Sequence, residues 1–204
     1  MKHVRFTKIL QKQRYLLHFF AALFVLTLTS IESLNGQTTN TWDGSSSNYW
    51  NTAANWSLNS VPTSDNDVVI NVNADIQINT NSTINTLNIN GNSEVKFTSS
   101  GGARRIRIDN TGSSIASGST LTLQGSTGSG TRSMTVAYTG GNNTMDIAGT
   151  LILSDVGEGT IYNATNSLTT VSGLLKNDDS LGTGTAGTIT STASNLSFLS
   201  GGSY

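Results

Sequence analysis

Few residue types in this 204-residue chain are suited to chemistry. Cysteine is absent, and both histidines, His3 and His18, lie near the N-terminus. Beyond them the chain has no imidazole and no thiol, which excludes Cys or His nucleophile–base pairs and the usual zinc ligand sets there. Tryptophans, arginines and carboxylates remain. Trp42, Trp50 and Trp56 stand close together in an aromatic-poor sequence. Their indole faces could stack on the C–H faces of sugar rings while Asp43 and Asn55 bond hydroxyls. The favoured alternative is an apolar plug closing the open end of a repeat structure, because tryptophan buries much apolar area.

Arg104, Arg105 and Arg107 interleave with Ile106 and Ile108. On a strand Arg105 and Arg107 share the outer face, where such a pair could hold a sulfate or a uronate. The favoured reading is a solvated outer face, since alternating charge also protects an exposed strand from edge pairing. Asp65-Asn66-Asp67 and Asp178-Asp179 supply hard oxygen ligands of the kind calcium takes. Neither completes a known loop motif, so they read as turn residues and no metal is assigned. Glycoside hydrolysis would need two carboxylates facing each other across a cleft. Asp146, Asp155, Glu158, Asp178 and Asp179 are available, but their order along the chain pairs none of them. No catalytic residue and no cofactor is assigned, and the chain reads as non-enzymatic.

The elements that position these residues are short. From Asp67 onward apolar residues recur at period two: Val68, Ile70 and Val72, then Ile76 and Ile78, Leu87 and Ile89, Val95 and Phe97. The pattern returns at Ile106 and Ile108, Leu121 and Leu123, Met134 to Tyr138, Leu151 and Leu153, and Leu196 and Phe198. These are strand signals, separated by Gly, Asn, Ser, Thr and Asp that favour turns. A weak repeat underlies them, marked by Gly91, Gly118, Gly149 and Gly173 at spacings of 27, 31 and 24 residues. Periods of that size belong to solenoids, and the uneven spacing predicts coils with variable loops. The expected fold is all-β, a parallel β-helix with an N-terminal Trp-containing cap. An antiparallel β-sandwich is the alternative, because short strands with frequent turns also read that way.

Residues 1–36 read as a signal peptide. Lys2, Arg5, Lys8, Lys12 and Arg14 precede a mostly apolar run from Tyr15 to Leu28, which is short for a membrane span. Residues 37–66 form the expected cap segment and 67–204 the solenoid. With the first 36 residues removed, six basic residues face eleven acidic ones, a net charge of −5. An acidic chain with scattered arginines lacks the basic stripe that nucleic acid requires. No transmembrane segment is expected after signal removal.

The stretch TWDGSSSNYWNTAANWSLNSVPTSDNDVVI, from Thr41 to Ile70, resembles the opening of large exported surface proteins common in Bacteroidetes. Its continuation through Leu87 and Phe97 is similar to the start of G8-type β-rich extracellular domains. The closing NLSFLSGGSY, Asn195 to Tyr204, is similar to a phrase repeated inside such β-helical proteins. The resemblance implies a secreted or cell-surface chain, displayed for adhesin-like contact with polysaccharide or cell-surface glycan. Relatives of that kind run on into further modules, so truncation within the solenoid is expected, with self-association through an uncapped last rung as a consequence. The alternative function is the N-terminal, glycan-contacting accessory segment of a secreted polysaccharide-degrading enzyme.

Overall fold

Alternation of inward aliphatic and outward polar residues gives strands with one buried face, and in this chain every such face turns toward one narrow core. A computed structural model describes residues 37–126, 132–138, 140–154, 159–162, 167–178, 188–190 and 196–204. Strand β1, Thr38–Thr41, precedes the cap loop and a short 3₁₀ turn at Ala53–Asn55. Five coils of three strands follow. The first holds β2 (Asn66–Ile70), β3 (Ala74–Ile78) and β4 (Ser82–Ile84), and the second β5 (Thr86–Ile89), β6 (Glu94–Ser99) and β7 (Arg104–Ile108). In the third are β8 (Ser113–Ile115), β9 (Thr120–Gln124) and β10 (Met134–Tyr138). The fourth contains β11 (Thr144–Ile147), β12 (Thr150–Ser154) and β13 (Gly159–Tyr162). The fifth contains β14 (Leu168–Val171), β15 (Leu174–Asp178) and β16 (Thr188–Thr190), after which β17 (Leu196–Phe198) begins another turn.

Each strand pairs with its counterpart in the next coil, always in parallel. The result is a first sheet ordered β1-β2-β5-β8-β11-β14-β17, a second ordered β3-β6-β9-β12-β15, and a third ordered β4-β7-β10-β13-β16. This is a parallel β-solenoid, and the parallel pairing of its sheets excludes the antiparallel sandwich. Register stacks like on like. In the first sheet Ile70 pairs with Ile89, Ile89 with Ile115, Ile115 with Ile147 and Ile147 with Val171, steps of 19, 26, 32 and 24 residues. In the second, Ile76, Phe97, Leu123 and Leu153 form an equivalent column. All of these are almost completely buried. Burying a side chain of this size stabilises by roughly 1.5–3 kcal/mol, so the columns are the main source of cohesion.

Corners between the first and second sheets differ in length, and the first coil turns on the three residues 71–73. In the second and third coils four residues make the turn, and Gly91 and Gly118 there adopt left-handed backbone, at φ 72° and 81°. In the fourth and fifth coils only two residues do so, Ala148-Gly149 and Ser172-Gly173. Both amides of each pair donate to one carbonyl of the coil below, Ile115 O and Ile147 O respectively, at 2.9–3.0 Å. The tight corner brings coils so close that the carbonyls of Ser119 and Ala116 stand where a Cβ of Gly149 would be. The carbonyls of Gly149 and Ala148 do the same at Gly173. The repeat glycines are therefore not equivalent, and Gly118 does not stack against Gly149 as the sequence pattern aligns them. Register places Gly149 opposite Ser119, one residue after Gly118.

Two apolar positions depart from the period-two reading. Val72 lies beyond the end of β2, in the corner, and is 43% exposed. Phe198 pairs in register with Val171 yet is 42% exposed, because β17 is paired on one side only among the described residues.

Candidate functional site

The cap is built from the residues singled out by composition. Trp42, Trp50 and Trp56 are all buried, with Trp50 fully enclosed. Trp56 sits between the other two, edge to face, with ring centroids 5.0 Å from Trp42 and 4.8 Å from Trp50. Trp50 in turn meets Phe97 at 5.8 Å. The cluster thus continues the core of the second sheet, and Tyr49 pairs in parallel with Gln77 of β3 as if starting a further rung. Trp56 Nε1 donates to Trp50 O at 2.8 Å, whereas Trp50 Nε1 is buried with no partner among the described residues. Gly44, at φ 60°, lies against the Trp42 ring, where a Cβ would stand 2.9 Å from Nε1. A side chain there would displace the indole.

This geometry corrects the sugar-stacking reading of the three tryptophans, because no indole presents a face to solvent. Asn55 is likewise no ligand for sugar hydroxyls. It is fully buried, and its Oδ1 accepts from Ser46 N at 3.0 Å and Ser47 N at 2.8 Å. Its Nδ2 donates to Ser47 Oγ and to Tyr49 O. The side chain is the pin of the cap loop. Asp43 is exposed and accepts from Ser45 N, closing a local turn.

Arg105 and Arg107 stand on the exposed outer face of β7, with Ile106 and Ile108 inward. Among the described residues neither guanidinium has an ion-pair partner. The flanking Arg104 is bound otherwise, its Nε donating to Ser100 O. The carboxylates are dispersed. Asp146 lies on β11 in the first sheet and accepts from Thr170 Oγ1, while Asp178 lies on β15 in the second and faces Lys176 at 3.7 Å. Asp155, Glu158 and Asp179 lie outside the described residues. Among the described residues no three His, Cys, Asp or Glu side chains gather as metal ligands. In Asp65-Asn66-Asp67 the central Asn66 is buried, bonding Thr63 and Thr38 across the corner.

Asp67 has a different setting, which sequence reasoning missed. Together with Gln37, Thr39, Val69, Asn88 and Gly112 it lines an open groove of about 480 Å³ on the outer face of the first sheet. Two chains of hydrogen bonds converge on its Oδ1. In one, Ser114 Oγ donates to Asn88 Oδ1 (2.9 Å), Asn88 Nδ2 to Thr86 Oγ1 (3.1 Å), and Thr86 Oγ1 to Asp67 Oδ1 (2.7 Å). In the other, Gln37 Nε2 donates to Asn85 Oδ1 (2.9 Å) and Asn85 Nδ2 to Asp67 Oδ1 (2.6 Å). Period-two alternation puts residues 67, 86 and 88 outward, but only the coil-to-coil register brings them together. A second shallow groove on the second sheet contains the Lys96–Asp75 ion pair at 2.6 Å, flanked by Glu94 and Thr122.

Comparison with curated proteins gives no match, and comparison with solved structures gives none. One family model matches residues 41–179, a span that runs from the end of β1 through the cap to the fifth coil and covers more than half of the chain. On that match the chain belongs to the family described as a domain of unknown function, DUF8693.

Proposed function

We propose that this chain is a non-enzymatic, exported β-solenoid that works at or beyond the cell surface, displaying rows of polar side chains for weak multivalent contact. The observation that carries the reading is the outward register of the first sheet, where Asp67, Thr86, Asn88 and Ser114 are held in successive coils by bonds to one another. Such rows are rigid, so ordering them costs little on contact, and several weak contacts made at once add through effective concentration. Export is supported by the order of basic residues and then an apolar run within residues 1–36. Among the described residues no helix is long and apolar enough to cross a membrane.

The proposal is tested by coating beads densely with the protein and measuring retention of polysaccharides or of bacterial cells, with free protein as competitor. Retention that needs many copies per bead, together with no new reducing ends from any polysaccharide, is the expected result. Steady release of reducing ends by purified protein would replace display with catalysis. The second reading is the accessory segment of a polysaccharide-degrading enzyme. It is favoured by the groove beside Asp67, which takes over the glycan contact that the buried indoles do not offer.

A further inference from the structure

We propose that the groove beside Asp67 is a binding site for a neutral glycan chain, with Asp67 Oδ2 as its central hydrogen-bond acceptor. The inference names the ligand class and the site of the display reading, and rests on that reading for contact with glycan at all. Its argument starts from what the two converging chains do to the carboxylate. Asn85 Nδ2 and Thr86 Oγ1 both donate to Oδ1, at 2.6 and 2.7 Å, so the carboxylate cannot turn without breaking both bonds. Oδ2 is left with no donor among the described residues. An acceptor held in place with its lone pairs free calls for a ligand that brings hydroxyl or N–H donors.

The surroundings narrow the choice. Thr39 adds a hydroxyl, and Asn88 and Asn110 add amides that can both donate and accept. Val69 adds an apolar spot for a ring C–H face. Gly112 adds room, since a Cβ there would meet nothing within 4 Å. Among the described residues no lysine or arginine lines the groove, so an acidic sugar would meet Asp67 with no compensating cation from them. One carboxylate among neutral groups is also too little charge for a dedicated divalent-cation cage. Vicinal hydroxyls on an uncharged ring match the groove best.

The test is affinity electrophoresis of the full chain in native gels containing a mixed-linkage β-glucan, a galactomannan, or polygalacturonate. Retardation by at least one neutral polymer and none by polygalacturonate is expected. Asp67→Asn keeps the Oδ1 acceptor for Asn85 and Thr86 but replaces Oδ2 by an N–H donor, and should weaken retardation roughly tenfold. Thr39→Arg, which fills the groove and neutralises Asp67, should weaken it as well, whereas Thr122→Ala on the second sheet should change nothing. Circular dichroism of each variant checks that the fold is kept. Equal retardation of Asp67→Asn and the natural chain would overturn the assignment, as would retardation by polygalacturonate or by no neutral polymer. Bead capture separates the two proposals: clustered Asp67→Asn protein that still retains glycan leaves display standing and removes this site, and clustered natural chain that retains none removes both.

Discussion

Asn55 bonds four groups of the cap loop from a fully buried position, so its loss leaves the amides of Ser46 and Ser47 without their acceptor. Asn55→Ala should cost about 2–4 kcal/mol in a denaturant melt, with tryptophan emission shifting to the red as the lid loosens. Tyr138 gives a second expectation. Burial among the core side chains raises its phenol above the ordinary value near 10, outweighing the opposing hydrogen bond with Thr169. A proton held more tightly in the folded state means stability is intact below about pH 10 and falls above it, by up to about 1.4 kcal/mol per pH unit. Tyr138→Phe should flatten that alkaline slope in pH-dependent unfolding, and an unchanged slope would show that other groups cause it. At this scale the inward or outward side of Arg105, Arg107 and the aliphatic residues within strands was legible, because alternation decides it. The roles of Asn55 and Asp67 were not, since their partners lie 6 to 19 positions away in sequence and meet them only through folding.

Strands were legible where two or three aliphatic residues alternate, as in β5, β6 and β9, and their corners were not. Gly91 and Gly118 look like Gly149 and Gly173 in sequence, yet the first pair supplies left-handed turns and the second makes room for a neighbouring carbonyl. The difference lies in corner length, which nothing local signals, and for the same reason Val72 was read as a core residue. It has a measurable consequence. Gly149→Ala and Gly173→Ala should each destabilise by about 2 kcal/mol or more, because a rigid backbone oxygen occupies the added methyl's place. Gly140→Ala, with open space around it, should stay within about 0.5 kcal/mol in the same denaturant titration. Equal effects at all three would mean the tight corners can open.

Across the whole molecule, cohesion passes mainly from each coil to the next. The Trp lid closes one end, where Trp50 rests on Phe97, while among the described residues β17 is paired only with β14. Hydrogen exchange should therefore be slowest at Val95 and Phe97 and fastest at Leu196 to Phe198, with protection declining coil by coil between them. Uniform protection would indicate all-or-none opening instead. The solenoid was legible from its period and composition, and the sandwich fell only when the pairing partners were known, because both folds use the same short strands. One consequence of the unequal steps of 19, 26, 32 and 24 residues concerns folding fidelity. Identical repeats can slip by a whole unit or trade units between copies at little energetic penalty. Here a slipped stack that put a four-residue corner in the place of Ala148-Gly149 or Ser172-Gly173 would strand the carbonyl of Ile115 or Ile147 without its paired amides. The irregularity that obscures the repeat in sequence acts as a frame lock, leaving the chain a single way to wind.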